Sequence, residues 1–296
     1  MKSLFTAYKN STIHYCVCGN GLKLLFCFHG YGEQAESFAV LEPKLGKDYT
    51  IISIDMPFHG KTEWKEGFDF MVGDLTEIME NIAERINDIQ GEISNGVASP
   101  LFGPAYAGTD VGREPNAKFS LLGYSMGGRV ALELLQRKPT LIERAVLVAP
   151  DGLHKNPWYR FATQTFLGKK LFKYVMHQRQ EKLWVLDVAE KYKLAHAGLL
   201  KIVRHYTDTP DDRKALYCRW LVMRAFKPAL PLVKKQVKQY NIPVRFLFGR
   251  FDNIILSKRA DIFKDDTANV QIHIIDAGHR LLQEKYIPVI SALFYQ

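Results

Sequence analysis

Short runs of apolar residues recur along the chain and indicate buried strands, several of them ended by polar turns that contain glycine. Segments with apolar residues at helical spacing separate most of these runs, as at 34–45 and 68–88. Such alternation is typical of a parallel sheet with helices on its faces. Residues 3–18 differ, because they suggest two short strands joined by a turn near Asn10. With the longer runs at 22–28, 49–54, 119–123, 144–149, 244–248 and 270–275, the sequence predicts an α/β fold with a mostly parallel sheet of eight strands.

The strand pattern is interrupted between the sixth and the seventh run. Residues 151–240 carry amphipathic, aromatic-rich stretches at helical spacing, at 158–166, 171–176, 183–192, 200–206, 213–226 and 232–240. The sequence therefore predicts a core made of residues 1–150 and 241–296, with a helical insertion at 151–240.

A second irregular segment, residues 89–117, is rich in Gly, Ala, Ser and Pro. It joins a helix to the next strand, so we expect it at the edge of the sheet where the strands begin. Ligands of open α/β sheets bind at the opposite edge. A mobile excursion remote from the chemistry is the expectation for this segment.

The charge of the chain is unevenly distributed. The formal net charge is +9, and residues 151–242 hold 19 Lys/Arg against 7 Asp/Glu, so the rest of the chain is slightly acidic. This basic segment has no phosphate loop, zinc-finger spacing or aromatic RNA-binding signature, and no nucleic-acid partner is predicted. A solvated helical surface is the favoured interpretation. Attraction to an anionic substrate or to an anionic membrane surface is the alternative.

Cysteine usage and the N-terminal sequence favour a cytoplasmic location. The four cysteines are irregularly spaced, which is typical of reduced thiols, and the first residues lack the features of a signal peptide. No apolar run approaches the length of a membrane-spanning helix. His14, Cys16 and Cys18 are expected on one face of a strand. Because no second cluster of ligands follows, we predict a structural role for these three residues and no metal site.

The sequence around Ser125 has the pattern of a nucleophile elbow, G-x-S-x-G, at Gly123–Gly127. An apolar run precedes it and a helix-compatible run follows it, so a serine is predicted at the apex of a strand–turn–helix unit. Glycines around the apex relieve crowding, and Gly128 allows the helix to lie close to the strand.

A serine hydroxyl needs a base, and the base needs an acid to orient it. Downstream of Ser125, Asp252 and His279 each follow the end of a predicted parallel strand, at the edge where the serine also emerges. We predict His279 as the base and Asp252 as the acid. Asp151, after the sixth strand, is a rival for the acid, and Asp276 is a third carboxylate close to His279 in sequence.

An oxyanion hole requires two N–H donors that point at the developing negative charge. The backbone N–H of Met126, directly after the serine, is predicted as one donor. The turn after the third strand, 29–32, is predicted to supply the other through Tyr31. His29 is interpreted as a brace for this turn, with a role in polarising the substrate as the alternative. Asp55 is interpreted as an anchor for the turn at 57–60.

These motifs together resemble the α/β-hydrolase superfamily, in its serine-nucleophile branch with a helical cap. The matching pieces are His29-Gly-Tyr-Gly, Asp55-x-Pro-x-His-Gly, the elbow, Gly249-x-x-Asp and Gly278-His. The resemblance implies Ser125 as nucleophile, Asp252 and His279 as its partners and Tyr31 and Met126 as oxyanion donors. It also implies that residues 151–240 form a lid. Three features depart from the usual pattern: His59, the length of 89–117 and the basic cap.

The expected activity is hydrolysis of a carboxylic ester or thioester through an acyl-enzyme, without a metal or an organic cofactor. The partner would be a small ester or acyl substrate, lipophilic or anionic, and the basic cap could contact an anionic membrane. Cleavage of a carbon–carbon bond or acyl transfer by the same triad is one alternative. A ligand-binding protein with little turnover is the other. The oligomeric state is not predicted.

Overall fold

A computed structural model describes residues 1–93, 118–154, 156–177, 209–264 and 269–296. Side chains of residues 87–93 are not included in this description. Most of the predicted irregular segment, 94–117, lies outside the described residues, and so do the predicted helices at 183–192 and 200–206.

The sheet has eight strands in the order β1-β2-β4-β3-β5-β6-β7-β8. β1 and β2 pair in antiparallel fashion, β2 pairs antiparallel with β4, and β3 to β8 are parallel. The prediction of a mostly parallel, eight-stranded α/β sheet is confirmed. The strands are β1 Lys2–Tyr8, β2 Ser11–Cys18, β3 Lys23–Phe28, β4 Tyr49–Ile54, β5 Phe119–Tyr124, β6 Ile142–Val148, β7 Val244–Gly249 and β8 Val270–Ile275.

Eight α-helices are found among the described residues. One core helix is shorter than the sequence predicts, because 34–45 begins as a 3₁₀ helix at Ala35–Leu41. Another core helix extends to residue 93, past its predicted end at 88. The helices are α1 Glu42–Leu45, α2 Val72–Ile93, α3 Met126–Arg137, α4 Pro157–Gln164, α5 Phe166–His177, α6 Pro210–Val222, α7 Leu230–Gln239 and α8 Ile287–Ala292.

Side chains of alternate residues in the central strands belong to two apolar clusters, one on each face of the sheet. In β3, Phe26 and Phe28 join the cluster that contains α2 and α3, whereas Leu25 and Cys27 join the cluster that contains α1 and α8. Both faces are covered, which explains why the strands have continuous apolar runs.

The four described helices of the insertion do not all lie in the same layer. α7 buries Val233 and Val237 in the core cluster beside α3. α5 instead packs against α6 through Met176 and Leu216, in a separate small cluster. The division into a core and a cap at 151–240 therefore stays a prediction. None of the helices within the described residues is both long and apolar enough to cross a bilayer.

Candidate active site

Ser125 occupies the turn between β5 and α3 in a strained backbone conformation, with φ 50° and ψ −113°. Positive φ is unfavourable for a residue with a side chain, and it persists where the surroundings fix it. Its N–H donates to the carbonyl of Val148 at 3.0 Å. Its carbonyl accepts from the N–H groups of Gly128 at 2.9 Å and Asp151 at 2.8 Å. These three bonds hold Ser125 at the end of the sheet where the parallel strands finish.

Close contact between α3 and the sheet depends on glycine at 127 and 128. A Cβ at Gly127 would lie 1.8 Å from the carbonyl oxygen of Phe28, and one at Gly128 would lie 2.3 Å from the Pro150 side chain. Neither position has room for a side chain. The helix N-terminus thus lies directly against β3, which places its first N–H groups beside Ser125.

The structure brings His279 to Ser125 across 154 residues of sequence. The Oγ of Ser125 lies 3.0 Å from Nε2 of His279. Tyr124 holds the histidine in place, because its hydroxyl donates to the His279 carbonyl at 3.2 Å and its ring stacks on the imidazole at 5.8 Å. This arrangement allows Nε2 to accept the serine proton.

Asp252 contacts the other nitrogen of the same ring. Its Oδ2 accepts from Nδ1–H of His279 at 2.7 Å, and its Oδ1 accepts from the N–H groups of Ile254 and Ile255 at 2.8 and 2.9 Å. Burial alone would raise the pKa of this carboxyl, but the His279 contact and the two N–H bonds lower the pKa overall. An ionised Asp252 fixes the tautomer in which Nε2 carries no proton.

The two rival carboxylates lie in other contacts. Asp151 pairs with Arg129 and accepts the N–H of Gly152 at 2.6 Å. Asp276 forms an exposed ion pair with Arg250 at 3.0 Å. Of the three candidate acids, Asp252 is the one that the structure places against the imidazole.

The proposed oxyanion donors lie on two elements that flank Ser125. Met126 is the first residue of α3, so its N–H has no partner within the helix. Tyr31 lies in the turn after β3, where the N–H of Glu33 donates to the Gly30 carbonyl at 3.2 Å and Gly32 has φ 75°. The roles of Tyr31 and Met126 stay predictions.

Glu33 is a residue of this turn that the sequence analysis did not identify. Its carboxylate accepts the N–H of Gly30 at 3.2 Å, and its own N–H donates to the Gly30 carbonyl. Glu33 and Gly30 are therefore joined by two hydrogen bonds across the turn. Burial raises the pKa of Glu33, although the Gly30 N–H and the charges of His279 and Arg280 act in the opposite direction. The turn motif of the sequence analysis ends at Gly32, one residue before this position.

His29 and Asp55 form the contacts expected of bracing residues. Nδ1–H of His29 donates to the Gly30 carbonyl at 2.8 Å, and Nε2 accepts the N–H of Met56 at 3.1 Å. Burial lowers the pKa of His29, which favours this neutral form. Asp55 accepts the N–H groups of Ala35 at 2.6 Å and Lys61 at 2.8 Å.

One group of potential metal ligands occurs within the described parts of the chain. Ligand atoms of His14, Cys16 and Glu36 all lie within 4.8 Å of one another. His14 already bonds Ser3 at 2.7 Å and Asp55 at 2.6 Å. Burial raises the pKa of the Cys16 thiol to about 12, so the thiol stays protonated. These contacts are typical of a structural hydrogen-bond cluster.

Comparison with known proteins gives a family match over most of the chain. Residues 24–290 match the family model described as "Alpha/beta hydrolase family". The uncharacterized hydrolase YugF of Bacillus subtilis is 27% identical over 268 residues, which cover 90% of this chain and 86% of YugF. A pimeloyl-[acyl-carrier protein] methyl ester esterase of Legionella pneumophila is 22% identical and covers 87% of both chains. The monoglyceride lipase of Mus musculus is 26% identical over 53% of this chain and 44% of the lipase.

Solved structures with low sequence identity share the fold. A putative lipase from Acinetobacter baumannii superposes with a TM-score of 0.59 at 19% identity, covering 99% of this chain and 90% of the lipase. The thioesterase domain from the curacin biosynthetic pathway superposes with a TM-score of 0.60 at 14% identity, covering 99% of both chains. At this identity the likeness establishes the fold alone. Together with the family match, it identifies the chain as a member of the alpha/beta hydrolase family, and its activity as that of a hydrolase.

Proposed function

We propose that this hydrolase is a serine hydrolase that cleaves a carboxylic ester or thioester through an acyl-enzyme. The observation that carries the proposal is the continuous contact from the Ser125 hydroxyl through His279 to Asp252, with the serine at a strained turn. Each distance is within hydrogen-bond range, at 3.0 and 2.7 Å. A binding protein has no use for this combination of nucleophile, base and buried acid.

In the proposed acylation step, Ser125 Oγ attacks the substrate carbonyl carbon while its proton passes to Nε2 of His279. The carbonyl electrons move to the oxygen, which becomes an alkoxide. Asp252 stabilises the imidazolium that forms. Collapse of the tetrahedral intermediate expels the alcohol or thiol, which takes the proton from His279 and leaves the acyl group on Ser125.

Deacylation repeats these steps with water as the nucleophile. His279 takes a proton from water, the hydroxide adds to the acyl carbon, and the proton returns to Ser125 as the carboxylic acid leaves. In both steps the alkoxide would lie between the N–H groups of Tyr31 and Met126. The N–H of Gly30 is bonded to Glu33 and is therefore not proposed as a donor.

We further propose a lipophilic acyl substrate, covered by the helices of 151–240 acting as a cap. Support comes from Tyr31, which lies in one apolar cluster with Phe172, Met176, Tyr217 and Trp220 of those helices. The basic excess of the same segment favours an anionic group, either on the substrate, as in a lysophospholipid, or on a membrane surface. Two of the relatives above are named as an ester esterase and a glyceride lipase, which agrees with this substrate class.

A fluorophosphonate probe tests the proposal, because it reacts with activated serines. We expect the wild-type protein to be labelled and to hydrolyse p-nitrophenyl esters, and the Ser125→Ala variant to do neither. Ser120→Ala is a matched control, since Ser120 lies buried in β5, the strand before Ser125, and its hydroxyl donates to Glu143. Folded wild-type protein that takes up no label would refute a serine mechanism.

A further inference from the structure

One face of α5 exposes an unusual number of large apolar side chains. Leu167, Leu171 and Tyr174 follow one another at the i, i+4 and i+7 positions, so they form a single row along the helix. They are 67%, 48% and 60% exposed, and neighbouring Phe166 is 72% exposed. A contiguous apolar surface of this kind marks a contact with another molecule or with a lipid phase.

The adjacent row of the same helix combines an aromatic residue with positive charge. Phe166, Lys170 and Lys173 again follow at i, i+4 and i+7, and Nζ of Lys170 lies 4.4 Å from the centre of the Phe166 ring. Residues 157–177, which contain α4 and α5, hold four Lys/Arg and no Asp or Glu. We call these two rows the outward face of α5: Phe166, Leu167, Lys170, Leu171, Lys173 and Tyr174.

The opposite side of α5 faces the candidate active site. Phe172 and Met176 pack with Leu216 and Trp220 of α6, and Tyr31 of the proposed oxyanion turn belongs to the same cluster. A single helix therefore separates the outward face of α5 from the turn that would bind the oxyanion.

Charge decides between the possible occupants of this face. A two-fold interface through this face would place one basic surface against another, and like charges repel. An anionic bilayer instead matches both features, because its phosphates attract lysines and its acyl region accepts leucine and aromatic side chains.

We propose that the outward face of α5 binds the surface of an anionic phospholipid bilayer, with its apolar row in the acyl boundary and Lys170 and Lys173 at the phosphates. This deepens the proposed function, since it names the lipid phase from which a lipophilic ester reaches the site. Docking itself requires no catalysis, so the two proposals can fail separately.

Vesicle co-sedimentation tests the docking. The full chain is mixed with vesicles of phosphatidylcholine alone and with vesicles that also contain phosphatidylglycerol. We expect binding to the anionic vesicles, weakened by salt and reduced at least about tenfold by Lys170→Glu/Lys173→Glu. Leu167→Ser/Leu171→Ser should also reduce it at least about tenfold, because these side chains lose their burial in lipid.

Leu22→Ser is the matched control, because Leu22 is 62% exposed but lies before β3, outside the insertion. It should bind vesicles like the wild type. All these variants should keep wild-type hydrolysis of a water-soluble ester, a measurement that reports the proposed function independently of docking.

Three results would overturn the docking proposal. The wild type could ignore anionic vesicles, or Leu22→Ser could lose as much binding as the α5 variants. Light scattering could also show a dimer that Leu167→Ser/Leu171→Ser dissociates, in which case a second copy covers the face.

Discussion

The carboxylate of Asp252 has three hydrogen-bond donors around it, one from an imidazole and two from the backbone. Such an environment favours the charged form and orients it toward His279. At the scale of single residues, the account therefore depends on the charge of Asp252 as much as on its position.

Replacing Asp252 by Asn should lower kcat by about 10³–10⁴-fold, since the amide can stabilise the wrong tautomer of His279. The measurement is ester hydrolysis at saturating substrate, with circular dichroism to verify folding. Asp276→Asn, which alters an exposed ion pair, is the control and should retain wild-type kcat. A large loss of kcat in Asp276→Asn, with little loss in Asp252→Asn, would mean that Asp276 is the acid.

The lowered pKa of Asp252 also predicts how stability depends on pH. A carboxyl whose pKa is lower in the folded state stabilises that state above its unfolded pKa. This contribution disappears as the pH falls through the folded-state pKa. Urea unfolding of wild type and Asp252→Asn should therefore give a larger difference in the free energy of unfolding at neutral pH than in acid. A difference that grows as the pH falls would contradict the lowered pKa of Asp252.

Glu33 is expected to act as a positioning residue for the oxyanion turn. Glu33→Ala removes the acceptor for the Gly30 N–H and should lower kcat by about tenfold. Complete removal of one oxyanion donor lowers kcat by about 10²–10³-fold, and a donor that is only less well positioned should cause a smaller loss. KM should change little. Glu33→Gln keeps an oxygen that can accept this bond and should recover most of kcat, whereas equal losses in both variants would indicate that the charge matters instead.

At the scale of elements, the strands were the most predictable part of the fold. β4 and β5 are buried throughout, and β3 is buried from Leu24 onward. A strand that is covered on both faces has a continuous apolar run in its sequence. Helix ends were less predictable. The long helix α2 continues through Ile93, where Gly91 and a polar composition suggested a loop. Propensity is weak there, and helix ends commonly depend on contacts from elsewhere in the fold.

The candidate site was predictable where a residue lies at the end of a strand. Ser125, Asp252 and His279 each follow one, and parallel strands end at the same edge. Glu33 was missed because its contact with Gly30 depends on the geometry of the turn. The hydrogen bond between His14 and Asp55 joins β2 to the end of β4. Such a contact between residues far apart in the sequence cannot be predicted from local spacing.

The elbow and α3 form one element, and substitution tests whether its glycines are needed for the close packing of α3 on the sheet. Gly127→Ala would place a Cβ 1.8 Å from the Phe28 carbonyl, so the helix must shift. We expect a loss of about 1–3 kcal/mol in the free energy of unfolding, and loss of fluorophosphonate labelling. Gly73→Ala in α2 is the control, because nothing lies within 4 Å of the new Cβ. It should be neutral or stabilise the protein by up to about 1 kcal/mol. Equal effects of the two substitutions would contradict this account of the elbow.

At the scale of the whole molecule, the chain combines a family fold with a basic helical insertion. All the excess positive charge lies in 151–242, and the rest of the chain is slightly acidic. The same segment supplies the apolar cluster around Tyr31. The features proposed to select the substrate are thus concentrated in one part of the sequence.

This asymmetry predicts a preference for anionic esters. Among esters of equal acyl length, those with a negative head group should have the higher kcat/KM, and added salt should reduce the difference. Short water-soluble substrates separate this effect from membrane docking. Equal kcat/KM for the neutral and anionic series would remove the anionic substrate from the proposal and leave the esterase mechanism intact.

The central claim, that Ser125 carries the acyl group during turnover, is tested most directly by trapping that intermediate. The protein is mixed with excess p-nitrophenyl ester, quenched in acid and analysed by mass spectrometry of the peptide that contains Ser125. We predict the acyl mass on Ser125 and a nitrophenolate burst of one equivalent per chain, both absent in Ser125→Ala. Hydrolysis by the wild type that continues undiminished in Ser125→Ala, with no acyl group on this peptide, would contradict the account.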